Sequence, residues 1–450
     1  MAMKTVFITI FDGLVSKNIL RTGIINFLQK EYGENINFIL FVPVSKVEYY
    51  KKDINIPGVF VEVAPEPSWP NLEKILFKIK EGSLLSKTAF FRKKNSPYRF
   101  LRIIYSVLTF FRNYIPLDFF LENIFYLIPD FSFNFYFVKY SPDLIFSTNP
   151  VSSTDMRLMR KAKKEKKKSV VMIKSWDNIV GRPYLFLYLN NLIVQNGILK
   201  DEAIEILKIP EEKIIVTGFP QFDIYKERKK IIKKETFFKE LELDKSKKLI
   251  LFSATGYPWT PHEVEVLELL SKNISNLIDP IQVLVRLHPK YEHSETEISK
   301  LPHMIVWRPG YIKPETKLSN WEYKEKDILY LMSALYYSDI CINTGSTMAI
   351  ESIIFDKPTI AIAFDGKQKN MSLHKSVRRF YLFDHNRKLV DLGGEDIAGD
   401  IDELIISINK YLKDPSIKSK ERSVTRDMLC YKLDGCASRR VAEVIIENLK

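Results

Sequence analysis

Apolar residues along this chain switch between two spacings. "KTVFITIF", "INFILFVP" and "GVFVEVA" are short apolar runs, and "NILRTGIINFLQKEY" repeats apolar residues at helical spacing. Runs of the first kind read as buried strands, the second as an amphipathic helix. After an aromatic segment the alternation resumes with "PDLIFSTNP", a basic helix around Met156 to Lys167, "SVVMIKSWDN", "NLIVQN", the helix "LKDEAIEILKI" and "KIIVTGFP". A charged stretch from about Tyr225 to Lys248 interrupts it. Beyond it "KKLILFSATG", "IQVLVRLHPK", "HMIVWRPG", "ICINTGS" and "KPTIAIAFDG" read as strands, with helices near Glu263 to Lys272 and over "KDILYLMSALYYSD". Such alternation predicts parallel sheets covered by helices on both faces. The expected fold class is α/β: two Rossmann-like doubly wound domains, a cleft between them at the carboxyl ends of their strands, and an aromatic-rich helical insert in the first. The expected bounds are 1–225 for the N-terminal domain with its insert at about 84–138, 226–248 for a linker, and 249–450 for the C-terminal domain with C-terminal helices. The tail from Asp400 reads as helical and basic, a segment that could pack back across the domains.

Composition fits two cores. The chain has 450 residues, 46% hydrophobic and 27% charged, which is globular and unlike an integral membrane protein. Cys341, Cys430 and Cys436 have neither metal-ligand spacing nor an even disulfide framework, so a reducing cytoplasm is expected. The first residues carry no long apolar core or small-residue cleavage site, and no signal peptide is expected. A net charge of +13 attracts polyanions: nucleic acid, anionic lipid or a phosphate-bearing substrate. Much of the excess lies in "RLMRKAKKEKKKS" and "YKERKKIIKKETFFKE", which read as solvated helix faces or linkers. No nucleic-acid module is recognisable, so nucleic acid is not an expected partner.

Phe90 to Phe137 holds seventeen aromatic residues in forty-eight positions, mixed with Lys87, Arg92, Lys93, Lys94, Arg99, Arg102 and Arg112 in and beside it. Arg102, Arg112, Glu122, Asp130 and prolines interrupt it, so no span reaches the roughly 20 apolar residues of a transmembrane helix. Two readings stand: an interfacial segment that makes peripheral contact with an anionic membrane or a lipid-linked substrate, and an all-helical subdomain with an aromatic core.

Five stretches carry candidate chemistry. In "INTGSTMAIE" a Gly-Ser-Thr turn between strand and helix offers N–H groups and hydroxyls to a phosphate, through Gly345, Ser346 and Thr347, while Glu351 could accept from sugar hydroxyls. The alternative is Ser346 as a plain helix cap with Glu351 on the surface. In "VLVRLHPK" the strand ends in Arg286, His288, Pro289 and Lys290, cations and an imidazole suited to a departing phosphate. Thr255 and Gly256 close "KKLILFSATG" at the same edge and are further candidates for binding the donor. In "ITIFDGLVSKNILRT" Asp12 ends the first strand, where it reads equally as a general base or as a turn aspartate capping the next helix, and Lys17, Asn18 and Arg21 decorate that helix. "IKSWDNIVGRP" presents Trp176, Asp177 and Asn178 on a loop, an aromatic platform with polar groups that suits a sugar. "VTGFPQFDIY", with Gly218, Pro220 and Asp223, reads as hinge and cleft wall. There is no Walker loop, no Gly-x-Gly-x-x-Gly after the first strand and no His/Cys metal cluster, and Asp400-Ile401-Asp402 lies in a helical segment, so a metal-independent reaction without a cofactor is expected.

With these residues the chain resembles the GT-B glycosyltransferases of bacterial and archaeal surface-polysaccharide synthesis, including the branch with "SWDN" and "VTGFPQFD", over nearly its whole length apart from the insert. "GSTMAIESIIFDKPTIAI" looks like the donor-site segment shared with CDP-glycerol glycerophosphotransferases and non-hydrolysing UDP-N-acetylglucosamine epimerases. Bacterial sialyltransferases and related CMP-sugar enzymes carry acidic-acidic-Gly, His-Pro and Ser/Thr motifs; the matches are Asp12-Gly13, His288-Pro289 and Ser346-Thr347, with Phe11 where an acid is expected. The resemblance implies Asp12 as general base, His288 stabilising or protonating the leaving phosphate, and Ser346 and Thr347 holding it. It implies a nucleotide sugar of CMP or UDP type as donor co-substrate and a hydroxyl of a surface glycan or lipid-linked acceptor as its target. The rivals are a CDP-alcohol phosphotransferase, a UDP-sugar epimerase and a non-catalytic polyanion-binding protein.

Overall fold

Strand β1 (Lys4–Thr9) shows why the apolar runs become parallel sheets: Val6 and Ile8 enter one apolar cluster and Phe7 another, so both faces of the strand are covered. The computed structural model describes residues 2–65, 71–95, 103–104, 106–108, 110, 117–184, 188–310 and 321–450. Contacts divide the chain into two units, Met1–Ile224 with Tyr431–Lys450, and Tyr225–Cys430.

In the first unit β1 is joined by β2 (Ile36–Val42), β3 (Val59–Val63), β4 (Leu144–Ser147), β5 (Lys168–Met172), β6 (Asn191–Val194) and β7 (Ile214–Val216). They form one parallel sheet in the order β3-β2-β1-β4-β5-β6-β7. The second unit holds β8 (Lys248–Ser253), β9 (Ile281–Arg286), β10 (Met304–Trp307), β11 (Ile340–Asn343), β12 (Thr359–Ile362) and β13 (Asp396–Ala398). Their order is β10-β9-β8-β11-β12-β13, again parallel throughout. The order reverses between β1 and β4 in one sheet and between β8 and β11 in the other, and ligands of such sheets bind outside the carboxyl ends at that point.

Three sequence expectations change. The last helix, Ala437–Leu449, belongs to the first unit and not to the C-terminal domain: Val441, Ala442, Val444, Ile445 and Leu449 complete the cluster around β1, β2 and β4. The stretch 226–248 is not a linker but part of the second unit, because Phe237 and Phe238 of helix Lys234–Glu240 pack on Tyr330 and Tyr337. The lysine-rich helix Ser153–Lys164 is not wholly solvated. Arg157 and Arg160 are buried on Glu73 at 2.7 and 3.1 Å and on Asp130 at 3.7 and 3.3 Å.

That cluster anchors the insert. Glu73 comes from helix Asn71–Ser83, and Asp130 follows helix Leu117–Leu127, so one carboxylate pair ties both helices to helix Ser153–Lys164. Phe133 and Phe137 join Phe7 and Phe41 in edge-on aromatic contacts, the core that one reading anticipated. Helices Lys87–Lys94 and Asn134–Tyr140 complete the described insert; Arg99, Arg102 and Arg112 lie outside the described residues.

Candidate active site

In the second unit, β8 leaves its sheet through Ala254, Thr255 and Gly256. Glu263, buried on the following helix, accepts the N–H of Thr255 at 2.7 Å and of Gly256 at 3.1 Å. The Thr255 hydroxyl reaches Thr344 O, at the end of β11, at 3.5 Å. Thr255 and Gly256 were expected among the donor-binding residues; their N–H groups bind the protein's own carboxylate, which sets the shape of the turn. Gly256 has φ +84°, and a Cβ there would stand 2.7 Å from the His293 ring, so the glycine is required twice over.

His293 connects this turn to β9. Its Nε2 accepts the backbone N–H of His288 at 3.0 Å, and Nδ1 faces Glu263 at 3.6 Å. His288 Nδ1 in turn accepts the backbone N–H of Lys290 at 3.1 Å. An accepting Nδ1 leaves the proton of the neutral ring on Nε2. Burial, then the charges of Arg286, His293 and Lys290, hold its pKa well below the usual imidazole value, so the ring is neutral at pH 7. His288 therefore offers one N–H donor, braced by Tyr291 at 4.7 Å and by the edge of Trp321 at 6.1 Å. Arg286 is buried, donates from Nη2 to Tyr323 at 2.7 Å, and has no partner at Nε among the described residues. Pro289 is buried after the histidine, and Lys290 is exposed.

β11 ends in the Asn343 to Thr347 turn. Asn343 Oδ1 accepts the Ser346 N–H at 3.0 Å, and Ser346 Oγ accepts the Met348 N–H at 3.3 Å. Gly345, at φ +58°, has no room for a Cβ, which would lie 2.9 Å from both Asn386 Nδ2 and Phe380 Cβ. Gly345, Ser346 and Thr347 are half-buried at this edge. Beneath them Asn343 Nδ2 donates to buried Glu395 at 3.3 Å. Burial pushes the Glu395 carboxyl up to about 7, against the opposing effect of Asn343. Glu351 differs from expectation. It is buried and accepts the hydroxyl of Tyr225, whose pKa stands well above the phenol value through burial and then that carboxylate. The carboxylate expected to meet a sugar is thus engaged inside the unit.

The first unit gathers a second group of polar residues at β1 and β5. Asp12 caps helix Gly13–Ile19, its Oδ1 accepting the Leu14 and Val15 N–H groups at 3.1 and 3.0 Å, and its Oδ2 takes Lys174 at 3.0 Å. Of the two readings of this aspartate the cap is realised, and proton abstraction by it requires Lys174 to give way. Asn18 donates to Lys174 O at 3.1 Å, and Lys17 is buried beside it. Arg21 is used elsewhere, paired with Asp53 and donating to Tyr49 at 3.3 Å. Trp176 is only 5% exposed, too little for the open stacking platform that the loop was expected to present. Asp177 remains half-exposed and accepts from Asn178 at 3.0 Å.

Two further motifs prove structural. Asp223 accepts the N–H groups of Ala437 and Ser438 at 3.0 and 2.7 Å, and Arg440 donates to Thr217 O at 2.7 Å, so "VTGFPQFD" docks the last helix rather than forming a hinge. Asp400 caps helix Ile401–Lys413 through the Glu403 N–H at 2.8 Å. Lys174, Glu263, His293, Asn343 and Glu395 carry much of this geometry and were not singled out from the sequence.

Two parallel doubly wound units, each with polar loops at its reversal point, define a GT-B protein. Residues 154–447 match the family described as CDP-glycerol:poly(glycerophosphate) glycerophosphotransferase, and the chain belongs to it, and so to the GT-B transferases of surface-polymer synthesis. No curated protein is significantly similar in sequence. Among solved structures, the UDP-GlcNAc 2-epimerase of Neisseria meningitidis bound to UDP-GlcNAc is 13% identical, with a TM-score of 0.57 over 99% of this chain and 100% of that one. The wall teichoic acid polymerase TagF is 15% identical, with a TM-score of 0.52 over 99% and 88%. A glycosyltransferase of Rickettsia africae is 14% identical, with a TM-score of 0.51 over 100% of both chains. At these identities the likeness is one of fold.

Proposed function

We propose that this chain transfers a polyol phosphate from a CDP-activated donor to a hydroxyl of a surface-polymer or lipid-linked acceptor. The observation that carries the reading is His288: a neutral imidazole with its proton on Nε2, at the same sheet edge as Arg286 and the Asn343 to Thr347 turn. All of these residues fall inside the stretch 154–447 that matches the glycerophosphotransferase family. In the reaction the acceptor oxygen bonds to the outer phosphorus of the donor, the bond from that phosphorus to the bridging oxygen breaks, and CMP leaves. Negative charge grows on the departing phosphate. A fixed N–H donor and a buried guanidinium meet that charge without reorganisation, which is where such sites gain most. The acceptor proton passes to a general base, the role that the family resemblance implies for Asp12.

A sugar nucleotide is the second reading. It is favoured by the joint presence of Asp12-Gly13, His288-Pro289 and Ser346-Thr347, the motifs of CMP-sugar enzymes. The same leaving phosphate is then expelled from an anomeric carbon. The test is to incubate the full chain with CDP-glycerol, CDP-ribitol, a CMP-sugar and UDP-GlcNAc, following melting temperature and the mass of any product on a polymer or lipid-linked acceptor. Stabilisation by a cytidine nucleotide that is lost in His288→Ala and Ser346→Ala, with a product heavier by a polyol phosphate, is the expected result. A product heavier by a sugar selects the second reading. No stabilisation by any of them refutes both.

A further inference from the structure

We propose that the second unit carries an anion site, built from Arg228, Lys357 and Tyr336, that holds a phosphodiester of the acceptor polymer away from the reaction. The ligand class rests on the polyol-phosphate transfer proposed above. Tyr336 lies in the last turn of helix Glu325–Tyr337, ahead of β11, and Lys357 stands two residues ahead of β12, so both are at the amino ends of these strands. The Asn343 to Thr347 turn is at the opposite, carboxyl end of β11. The Arg228 guanidinium lies 4.2 Å from the centre of the Phe355 ring and 6.0 Å from that of Tyr336, and Lys357 Nζ lies 5.9 Å from the same Tyr336 ring. Two cations thus share one ring. Among the described residues neither side chain has an ion pair or a hydrogen bond.

The acids near Lys357 are engaged elsewhere. Asp339 accepts from Lys248 at 3.1 Å and from the Leu249 N–H at 2.8 Å, and Asp356 accepts from Arg422 and Ser419, both at 2.8 Å. Burial lowers the pKa of both cations, and Arg228 depresses that of Lys357 further, over the opposing pull of Cys341, Asp339 and Asp356. Two partly desolvated like charges repel at a cost that an oxyanion between them removes. A guanidinium fork, an ammonium and a phenol hydroxyl are the donors that such an anion requires. The surrounding sequence extends the field: residues 226–234 hold six cations and one acid, Glu227, which is paired with Lys230 at 3.1 Å. This run is fixed on helix Glu325–Tyr337 through Ile232, whose N–H donates to Ser333 Oγ at 3.0 Å and whose carbonyl accepts the Tyr337 hydroxyl at 2.8 Å. Lys226, Lys229, Lys230, Lys233 and Lys234 are left exposed along it. A single anion needs only Arg228 and Lys357, whereas a spaced run of cations beside them suits a chain of repeating phosphates. A second contact of this kind raises the local concentration of a growing chain without touching the chemistry.

The test is fluorescence anisotropy of a labelled glycerol-phosphate hexamer titrated with the full chain across a salt series, beside a single-stranded RNA of equal charge. Binding of the glycerol-phosphate chain that weakens with salt is expected, falling by roughly tenfold or more in Arg228→Gln/Lys357→Gln, the scale of a lost charge-assisted hydrogen bond. Lys272→Gln/Lys300→Gln removes the same charge from exposed positions elsewhere in the second unit and is expected to stay within about twofold of the parent. Melting temperature reports misfolding, and Arg228→Gln alone, at an exposed position, keeps the test open if the double variant does not fold. Absence of binding by the parent, equal loss in the two double variants, or tighter binding of the RNA than of the glycerol-phosphate chain overturns the proposal. Stabilisation by CDP-glycerol and transfer to a single-unit acceptor, measured in the same variants, are expected to match the parent, so failure here is distinct from failure of the transferase reading.

Discussion

Asn343 and Glu395 are joined beneath the candidate phosphate turn: Asn343 Nδ2 donates to the carboxylate at 3.3 Å while its Oδ1 accepts the Ser346 N–H at 3.0 Å. Ionised or protonated, Glu395 presents an accepting oxygen to this amide, so it decides which end of the amide faces the turn. Glu395 is therefore a positioning residue. Replacing it by Ala frees the amide to rotate and is expected to weaken binding of CDP by roughly tenfold, the scale of one buried hydrogen bond. Glu395→Gln keeps an accepting oxygen and is expected to restore most of the affinity in calorimetry. Equal weakening in both variants would contradict the orienting role.

The same carboxyl gives a signed pH effect. Its value in the folded chain is raised from 4.5 to about 7, so between those limits the folded state holds the proton more tightly than the unfolded state. This contribution to stability is complete below the lower value and is lost as pH rises through the upper one, by at most about 3 kcal/mol. Urea unfolding of the parent and Glu395→Gln near pH 5 and pH 8 reads it out: the variant should gain relative to the parent at the higher pH.

His288 is neutral through the physiological range, so turnover that depends on its Nε2–H should not decline as pH rises from about 6 to 8. His288→Ala is expected to lower kcat by about 10²–10³, the usual effect of removing one fixed donor to a developing anion. A pH–rate profile with a descending limb near 6.5 that vanishes in the variant would show instead that a charged imidazole donates the proton.

Asp12 separates its two roles by a single atom exchange. Asn is a good helix cap, so Asp12→Asn should keep the N–H bonds of Leu14 and Val15, whereas Asp12→Ala should cost about 1 kcal/mol of stability, with a further loss from Lys174. If Asp12 is the base, the Asn variant is stable and inactive. If it is stable and active, the proton goes elsewhere, and Asp177→Asn becomes the informative variant.

The strands were legible because most are short, mainly apolar runs, fully buried at the centre of each sheet, and twelve of the thirteen among the described residues announce themselves by such a run. β13 did not: its three residues, Asp396 to Ala398, hold a single large apolar side chain, Ile397, which is exposed. Strand-end residues such as His288 and Ser346 were legible for the same reason, since the end of an apolar run marks the edge of the sheet. What the pattern could not supply is direction and partnership. Trp176, Glu351 and Arg21 were given the right chemistry and the wrong surroundings, being turned inward or matched with distant partners. Glu263 reads as one acid among several on an amphipathic helix, and only its approach to Thr255 and Gly256 reveals its task.

The final helix, held by Asp223 and sealed into the first unit, sets an order of events on the ribosome. The first unit emerges with a stripe of its core uncovered and must wait while Tyr225–Cys430 is synthesised, a delay of roughly 10–40 s at common elongation rates. During that interval the nascent chain exposes apolar surface that only its own carboxyl-terminal segment fits. Residence on chaperones should therefore track the arrival of Ala437–Leu449 rather than the completion of β7.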